Sequence, residues 1–262
     1  MHLLRMIRAE LVKGLQVSVR YPIEFIASMV GLGVIYLAVY WTNRALITPG
    51  LTASPLVWSL VGFLMWYYVA IVVGSLSTSL QNEATEGTLE QLLLTSAGPA
   101  RLLFARLVAI VLRGSLEVLL IFGGLILLTR VHLVCRAVPS LMVMGLSMIG
   151  LAGLGFALAA LTLLYKRVSG LVGLFTLGML VMMGVLGGRQ DTLVQVLAAV
   201  LPLVQGSRLM QQLFSSGMPV PAAWVPQMLT LTLNSAGYLI AGLVLFSFAD
   251  RRARQRGIIG QF

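Results

Sequence analysis

Residues 81–101 read QNEATEGTLEQLLLTSAGPAR, and they form the one well-marked polar segment between long apolar runs. Three glutamates at i, i+3 and i+7 spacing share one helical face, Glu83, Glu86 and Glu90, whereas three leucines fall on another, Leu89, Leu92 and Leu93. Thr88 and Gln91 have capping-box spacing, and Gly98 with Pro99 provides a stop. The pattern predicts a short helix outside the membrane, within about residues 84–97. A solvated loop between two membrane helices is the alternative interpretation.

The composition outside this segment is typical of an integral membrane protein. The 262 residues are 59% hydrophobic and 10% charged, whereas soluble domains are about a quarter charged. A single cysteine, Cys135, excludes an intrachain disulfide, and the separated His2 and His132 indicate no metal cluster. The net charge is +10, but the basic residues flank apolar runs. This placement indicates membrane topology and contact with anionic lipid headgroups, not nucleic-acid binding.

Residues 1–22 predict an amphipathic helix at the membrane surface. Apolar and polar residues fall on opposite halves of a helical projection over residues 3–20. The segment lacks the small-residue cleavage site of a signal peptide, so we expect it to remain on the chain. Pro22 disfavours helix at Tyr21, which predicts a break there before the chain enters the membrane.

The rest of the chain predicts an all-α membrane domain of six spans over residues 23–249. The spans cover about residues 23–42, 55–80, 102–129, 138–164, 168–188 and 227–249. Residues 192–204 are apolar but too short to cross about 30 Å of hydrocarbon. Residues 192–216 therefore predict a re-entrant or interfacial hairpin, and residues 250–262 form a basic tail.

Three features lie inside the predicted spans. Small residues at i, i+4 spacing in the fourth span predict close helix approach, namely Gly153 with Ala157 and Gly155 with Ala159. The second span contains an aromatic run, Trp66, Tyr67 and Tyr68, about 16 Å from its start. This depth is too great for an interfacial aromatic belt, so the run either lines a substrate path or packs helices together. Arg113 and Glu117 form an i, i+4 pair in the third span. That pair belongs to a gate or subunit interface, or it neutralises itself near the inner end of a tilted helix.

The charge distribution predicts the orientation. Six spans put both termini on one side, where the termini and the turn at residues 166–167 carry ten basic residues, against five on the other side. The positive-inside rule then places the termini and the polar segment in the cytoplasm.

The sequence shows no catalytic machinery of its own. Neither of the two lysines, Lys13 and Lys166, stands in a phosphate-binding glycine loop. The two histidines, far apart in the chain, do not indicate a Ser-His-Asp or Cys-His arrangement. We therefore expect a protein that is not an enzyme.

The run Glu83–Ser96, EATEGTLEQLLLTS, resembles the signature between the second and third spans of ABC-2-type transporter permeases, the membrane subunits of ATP-binding cassette exporters. The similarity extends over nearly the whole chain, including the amphipathic amino terminus, the six spans and the segment with Leu201 and Pro202 before the last span. Family members often have proline after the signature threonine, where this chain has Ser96, with Pro99 slightly later.

The resemblance implies a fold, partners and a location. It implies a homodimer, or a pair with a paralogous permease, in a bacterial or archaeal cytoplasmic membrane. Two copies of a separate ATPase subunit would bind ATP and Mg, with no cofactor on this chain. The ATPase would contact a coupling helix that includes Glu83, Glu86, Gly87, Thr88, Leu89, Glu90, Leu92 and Leu93, and also the amino-terminal helix.

The substrate is open at this point. The apolar spans and small outer loops favour export of a hydrophobic small molecule, a drug or a lipid-like compound. The first alternative is a lipid-linked polysaccharide or teichoic acid, whose sugars would stack on the aromatic run at residues 66–68. The second, from another class, is an ATP-independent channel or a structural membrane subunit.

Overall fold

The computed structural model describes residues 2–45, 55–85, 99–129, 137–165, 168–185, 196, 199–215 and 224–255, and every element within these ranges is helical. The helices are α1 (His2–Arg20), α2 (Pro22–Ala45), α3 (Pro55–Thr85), α4 (Pro99–Thr129), α5 (Ala137–Tyr165), α6 (Ser169–Leu180), α7 (Pro202–Ser215) and α8 (Trp224–Gln255). A π-helical turn, Val181–Val185, continues α6. The all-α fold class is confirmed for the described residues.

Five of these helices, α2, α3, α4, α5 and α8, are long and apolar enough to cross a membrane. The chain is therefore a multi-pass membrane protein. The predicted span at residues 168–188 is represented by α6 and the π-helical turn, whose 12 and 5 residues make 17. At 1.5 Å per residue they extend about 26 Å, short of the roughly 30 Å hydrocarbon core. A sixth span stays a prediction, since residues 186–188 lie outside the described residues.

Helix α3 is the centre of the bundle. It contacts α2, α4, α5, α6 and α7, and 72% of its apolar stretch is buried within the chain, against 11% for α2. Its helix continues past the predicted end of the second span, to Thr85. No proline or glycine interrupts residues 75–85, so the helix leaves the apolar region unbroken.

Two proline positions define helix beginnings. Tyr21 is the single non-helical residue between α1 and α2, at the predicted position, although its N donates to Val17 O at 3.0 Å and its O accepts from Phe25 N at 3.2 Å. A turn of the chain into the membrane at this residue stays a prediction. Pro202 occupies the first position of α7, where its missing N–H costs nothing, and Gln205 N donates to Leu201 O at 3.1 Å. Helix α1 packs mainly on α4, and α7 packs on α5 and α3.

The α5–α8 interface is a contact of backbones. A Cβ atom added at Gly153 would overlap the backbone of Tyr238 and Leu239, and one added at Gly242 would overlap the backbone of Gly153. Gly155, on another face of α5, lies against Leu76 of α3. Close approach at both glycines, predicted from the small-residue spacing, is thus confirmed.

Candidate functional site

An arginine joins three helices at one end of the bundle. Arg106 of α4 pairs through Nε with Glu10 Oε1 of α1 at 3.5 Å. Its Nη2 donates to Glu83 Oε1 of α3 at 3.2 Å, and its Nη1 donates to Ser79 Oγ, also of α3. We call these four residues the Arg106 junction. It connects the amino-terminal helix to the first acid of the polar segment at residues 81–101.

Local helix geometry builds this junction. Ser79 and Glu83 are four residues apart on α3, and therefore face the same side one turn apart. Only 14% of the Arg106 side chain is exposed, and about a fifth of each carboxylate side chain. Such partly buried charges are costly when unpaired, so the three helices are held together by mutual neutralisation.

A groove of about 640 Å³ extends from the junction between α1 and α3, with α4 contributing the third wall. Charged side chains line it at several points: Glu10, Lys13, Glu83, Arg106 and Arg113. Small polar residues of α3 and apolar residues of all three helices complete the lining, among them Ser75, Thr78, Leu11, Val17, Ala70 and Ile110. The volume is within the range of small-molecule sites.

Farther along α4, the predicted intramembrane pair lies beside this groove. Arg113 Nε stands 3.4 Å from Glu117 Oε1, an ion pair without hydrogen-bond geometry at that nitrogen. Tyr67 donates from its hydroxyl to Glu117 Oε2 at 2.5 Å. The carboxylate is therefore held by one residue of its own helix and one of α3, which is how a charge within a span is usually satisfied.

The aromatic run at residues 66–68 is buried within the single chain. Trp66 Nε1 donates to Thr176 O of α6 at 2.7 Å, and the Tyr68 hydroxyl donates to Ser115 Oγ of α4 at 3.1 Å. Less than a tenth of each of the three residues is exposed, and they do not line the groove. These are contacts of helix packing, and a substrate path along them stays a prediction.

A smaller polar region connects α7 to α8. Gln205 Nε2 donates to Thr230 Oγ1 at 2.6 Å, and Asn234 Nδ2 donates to Val200 O at 2.9 Å. A cavity of about 340 Å³ beside them is lined in part by Arg208. Burial lowers the pKa of the Arg208 guanidinium from its ordinary value. Even so, an arginine stays charged at neutral pH, so this region remains cationic.

The structure describes only some of the site residues that the sequence predicted. Glu83 belongs to the Arg106 junction. Glu86, Gly87, Thr88, Leu89, Glu90, Leu92 and Leu93 lie outside the described residues, as does most of the predicted helix at 84–97. Glu10 and Arg106 were missed. The sequence did contain a signal for them, because Arg106 lies in the apolar run of the third span. A charged residue there needs a carboxylate partner at the same depth in the membrane.

Comparison of the chain with protein-family models, with curated proteins and with solved structures finds no match.

Proposed function

We propose that this chain is the permease subunit of an ATP-binding cassette exporter, driven by a separate ATPase that docks on the polar segment at residues 81–101. Two supports come from different sources. The signature resemblance identifies the segment, and the Arg106 junction gives it a physical route into the membrane domain. That junction carries the proposal, because it joins the segment's first acid to α1 and α4 at once.

The transport mechanism follows from this connection. ATP binding closes two ATPase subunits, and each displaces the coupling segment of one permease. The displacement reaches α1 and α4 through Glu83 and Arg106, since these charges cannot separate cheaply in a partly buried site. Two permeases then rock against each other and open a path along their interface.

The substrate we favour is a hydrophobic small molecule or lipid-like compound. The outward faces of the spans are strongly apolar, with exposed leucines along α4 such as Leu112, Leu116 and Leu119. The polysaccharide alternative relied on stacking of sugars on residues 66–68, and the burial of these side chains removes that support. A channel or structural subunit that needs no ATPase remains the alternative of another class.

Pull-down from native membranes, followed by ATPase assays of the recovered complex with candidate substrates, tests this proposal. We expect an ATPase to co-purify. We expect Glu86→Lys with Glu90→Lys to abolish stimulated ATP hydrolysis, because the two lysines would repel the basic groups or N–H donors that an acidic face attracts. Glu24→Lys is the matched control, since Glu24 is an exposed acid at the start of α2. Recovery without any ATPase, together with activity in ATPase-free vesicles, would reject the proposal in favour of the channel.

A further inference from the structure

The charges of the groove between α1, α3 and α4 are separated along its length. Two carboxylates, Glu10 and Glu83, line the end at the Arg106 junction. Two cations, Lys13 and Arg113, lie farther along. Arg113 is beside Gly14, because a Cβ added at Gly14 would be 3.4 Å from Arg113 Cδ. From Glu10 to Gly14 is about 6 Å along a helix. The groove therefore presents acidic and basic groups about one helical turn apart.

The described contacts leave both kinds of charge able to bind a ligand. Glu10 shares Arg106 with α3, and both terminal nitrogens of that arginine are directed to Ser79 and Glu83. Arg113 meets Glu117 through Nε, which has no hydrogen-bond partner in the described part of the chain, and about a third of its side chain is exposed. Lys13 has no ion pair within the described part of the chain. A carboxylate and two cations are thus available on the same groove.

Its position suits a lipid headgroup with the first part of its acyl chains. The groove begins where the apolar stretches of α3 and α4 end, near Glu83 and Arg101, and one wall is the amphipathic helix α1. Toward Ala70 and Val17 the lining becomes apolar. Polar headgroup and hydrocarbon would then each meet matching surface.

We propose that this groove binds a phospholipid whose headgroup carries a primary ammonium, with Glu10 accepting from the ammonium and Lys13 and Arg113 contacting the phosphate. The ammonium supplies N–H donors, which a quaternary ammonium lacks. Arg113 contributes a fork of donors suited to phosphate oxygens. The site does not depend on whether the protein is an exporter, so it can stand or fall apart from the proposed function.

Native mass spectrometry of the purified protein in detergent tests this site with three lipids: phosphatidylethanolamine, phosphatidylcholine and phosphatidylglycerol. We expect phosphatidylethanolamine to bind most tightly. Lys13→Gln should weaken all three by about fivefold, the effect of one basic residue at a lipid phosphate. Glu10→Gln should reduce the ratio of phosphatidylethanolamine affinity to phosphatidylcholine affinity about tenfold, because a charge-assisted hydrogen bond to the ammonium is lost.

Arg8→Gln is the matched control, since Arg8 is an exposed cation on α1 that does not line the groove. We expect it to change each affinity less than twofold. Equal losses in Arg8→Gln and Lys13→Gln would overturn the site in favour of general surface attraction. Equal binding of phosphatidylcholine and phosphatidylethanolamine to the unaltered protein would also overturn it.

Free phosphoethanolamine separates a lipid site from a soluble-anion site. At millimolar concentration we expect it to displace little phosphatidylethanolamine, since it lacks the acyl chains that would meet Val17 and Ala70. Complete displacement, with the same dependence on Lys13, would reject the lipid as the occupant. Gly14→Leu tests the site by filling part of the groove, because the leucine side chain would extend toward Arg113 without altering any charge. It should weaken all three lipids together.

Discussion

The α5–α8 interface and the α1–α3–α4 cluster hold their helices together by different means. At α5–α8, Gly153 and Gly242 bring two backbones into contact, and Phe156 packs edge-on against Phe246 with ring centroids 5.7 Å apart. At the cluster, Arg106 bridges two carboxylates beside a groove of about 640 Å³. The α5–α8 interface is close-packed at the two glycines, whereas the α1–α3–α4 cluster leaves a groove beside its charged side chains.

This difference indicates which part of the molecule can move. A contact of backbones has a single close-packed geometry, since any displacement produces overlap or a void. Ion pairs next to a groove can exchange partners with a ligand or a docked protein while the charges stay satisfied. We therefore expect α5 and α8 to act as one rigid unit, and α1 with the adjoining ends of α3 and α4 to be the adjustable side.

The largest effect is expected from a side chain at the backbone contact. Gly153→Leu would drive Cβ into the backbone of Tyr238, which cannot rotate away. We expect a loss of more than about 4 kcal/mol, which leaves little folded protein to purify. Unfolding in mixed detergent and SDS, followed by tryptophan fluorescence, measures the loss.

The matched control is Gly145→Leu, also on α5, where an added Cβ meets open space. That change should stay within about 0.5 kcal/mol. Equal destabilisation by the two substitutions would show that α5 and α8 do not form the rigid unit inferred here.

A smaller and more local effect is expected at the Arg106 junction. Arg106→Gln leaves Glu10 and Glu83 facing each other without their shared cation. The group is mostly but not fully buried, so we expect a loss of about 2–3 kcal/mol. Hydrogen exchange should show faster exchange in α1 with little change in α5 and α8, because only the adjustable side loses a contact.

The control for this change is Arg101→Gln, an exposed arginine near the start of α4. It should alter neither stability nor exchange appreciably. If Arg106→Gln speeds exchange in α8 as much as in α1, the two regions are one cooperative unit and the comparison fails.

The sequence predicted the close approach of α5 to a neighbouring helix, but it identified neither α8 as that neighbour nor the Arg106 junction. Helix class and the close approach at Gly153 and Gly155 follow from hydrophobicity and small-residue spacing, both local properties. The Arg106 junction needs residues 10, 83 and 106 at one depth, which depends on the register of three helices. No single-helix pattern carries that register, so the shared arginine could not be identified from spacing.

The sixth predicted span stays a prediction. Residues 168–188 carry no charge, and the described helix and π-helical turn cover most of them. Leu171, Leu174 and Leu177 are exposed on the outer side of that helix, which is the surface that a lipid-facing helix would present.

The smallest expected effects compare two neighbouring tyrosines that join α3 to α4. Tyr67 donates to the charged Glu117, whereas Tyr68 donates to the neutral Ser115 hydroxyl. Hydrogen bonds to charged acceptors are stronger, although those within membranes are worth little on average. We expect Tyr67→Phe to cost about 1 kcal/mol and Tyr68→Phe about 0.5 kcal/mol in the same SDS titration. A larger loss for Tyr68→Phe would mean that Arg113 satisfies Glu117 without Tyr67, and that the polar contact between α3 and α4 at this depth depends on Ser115 instead.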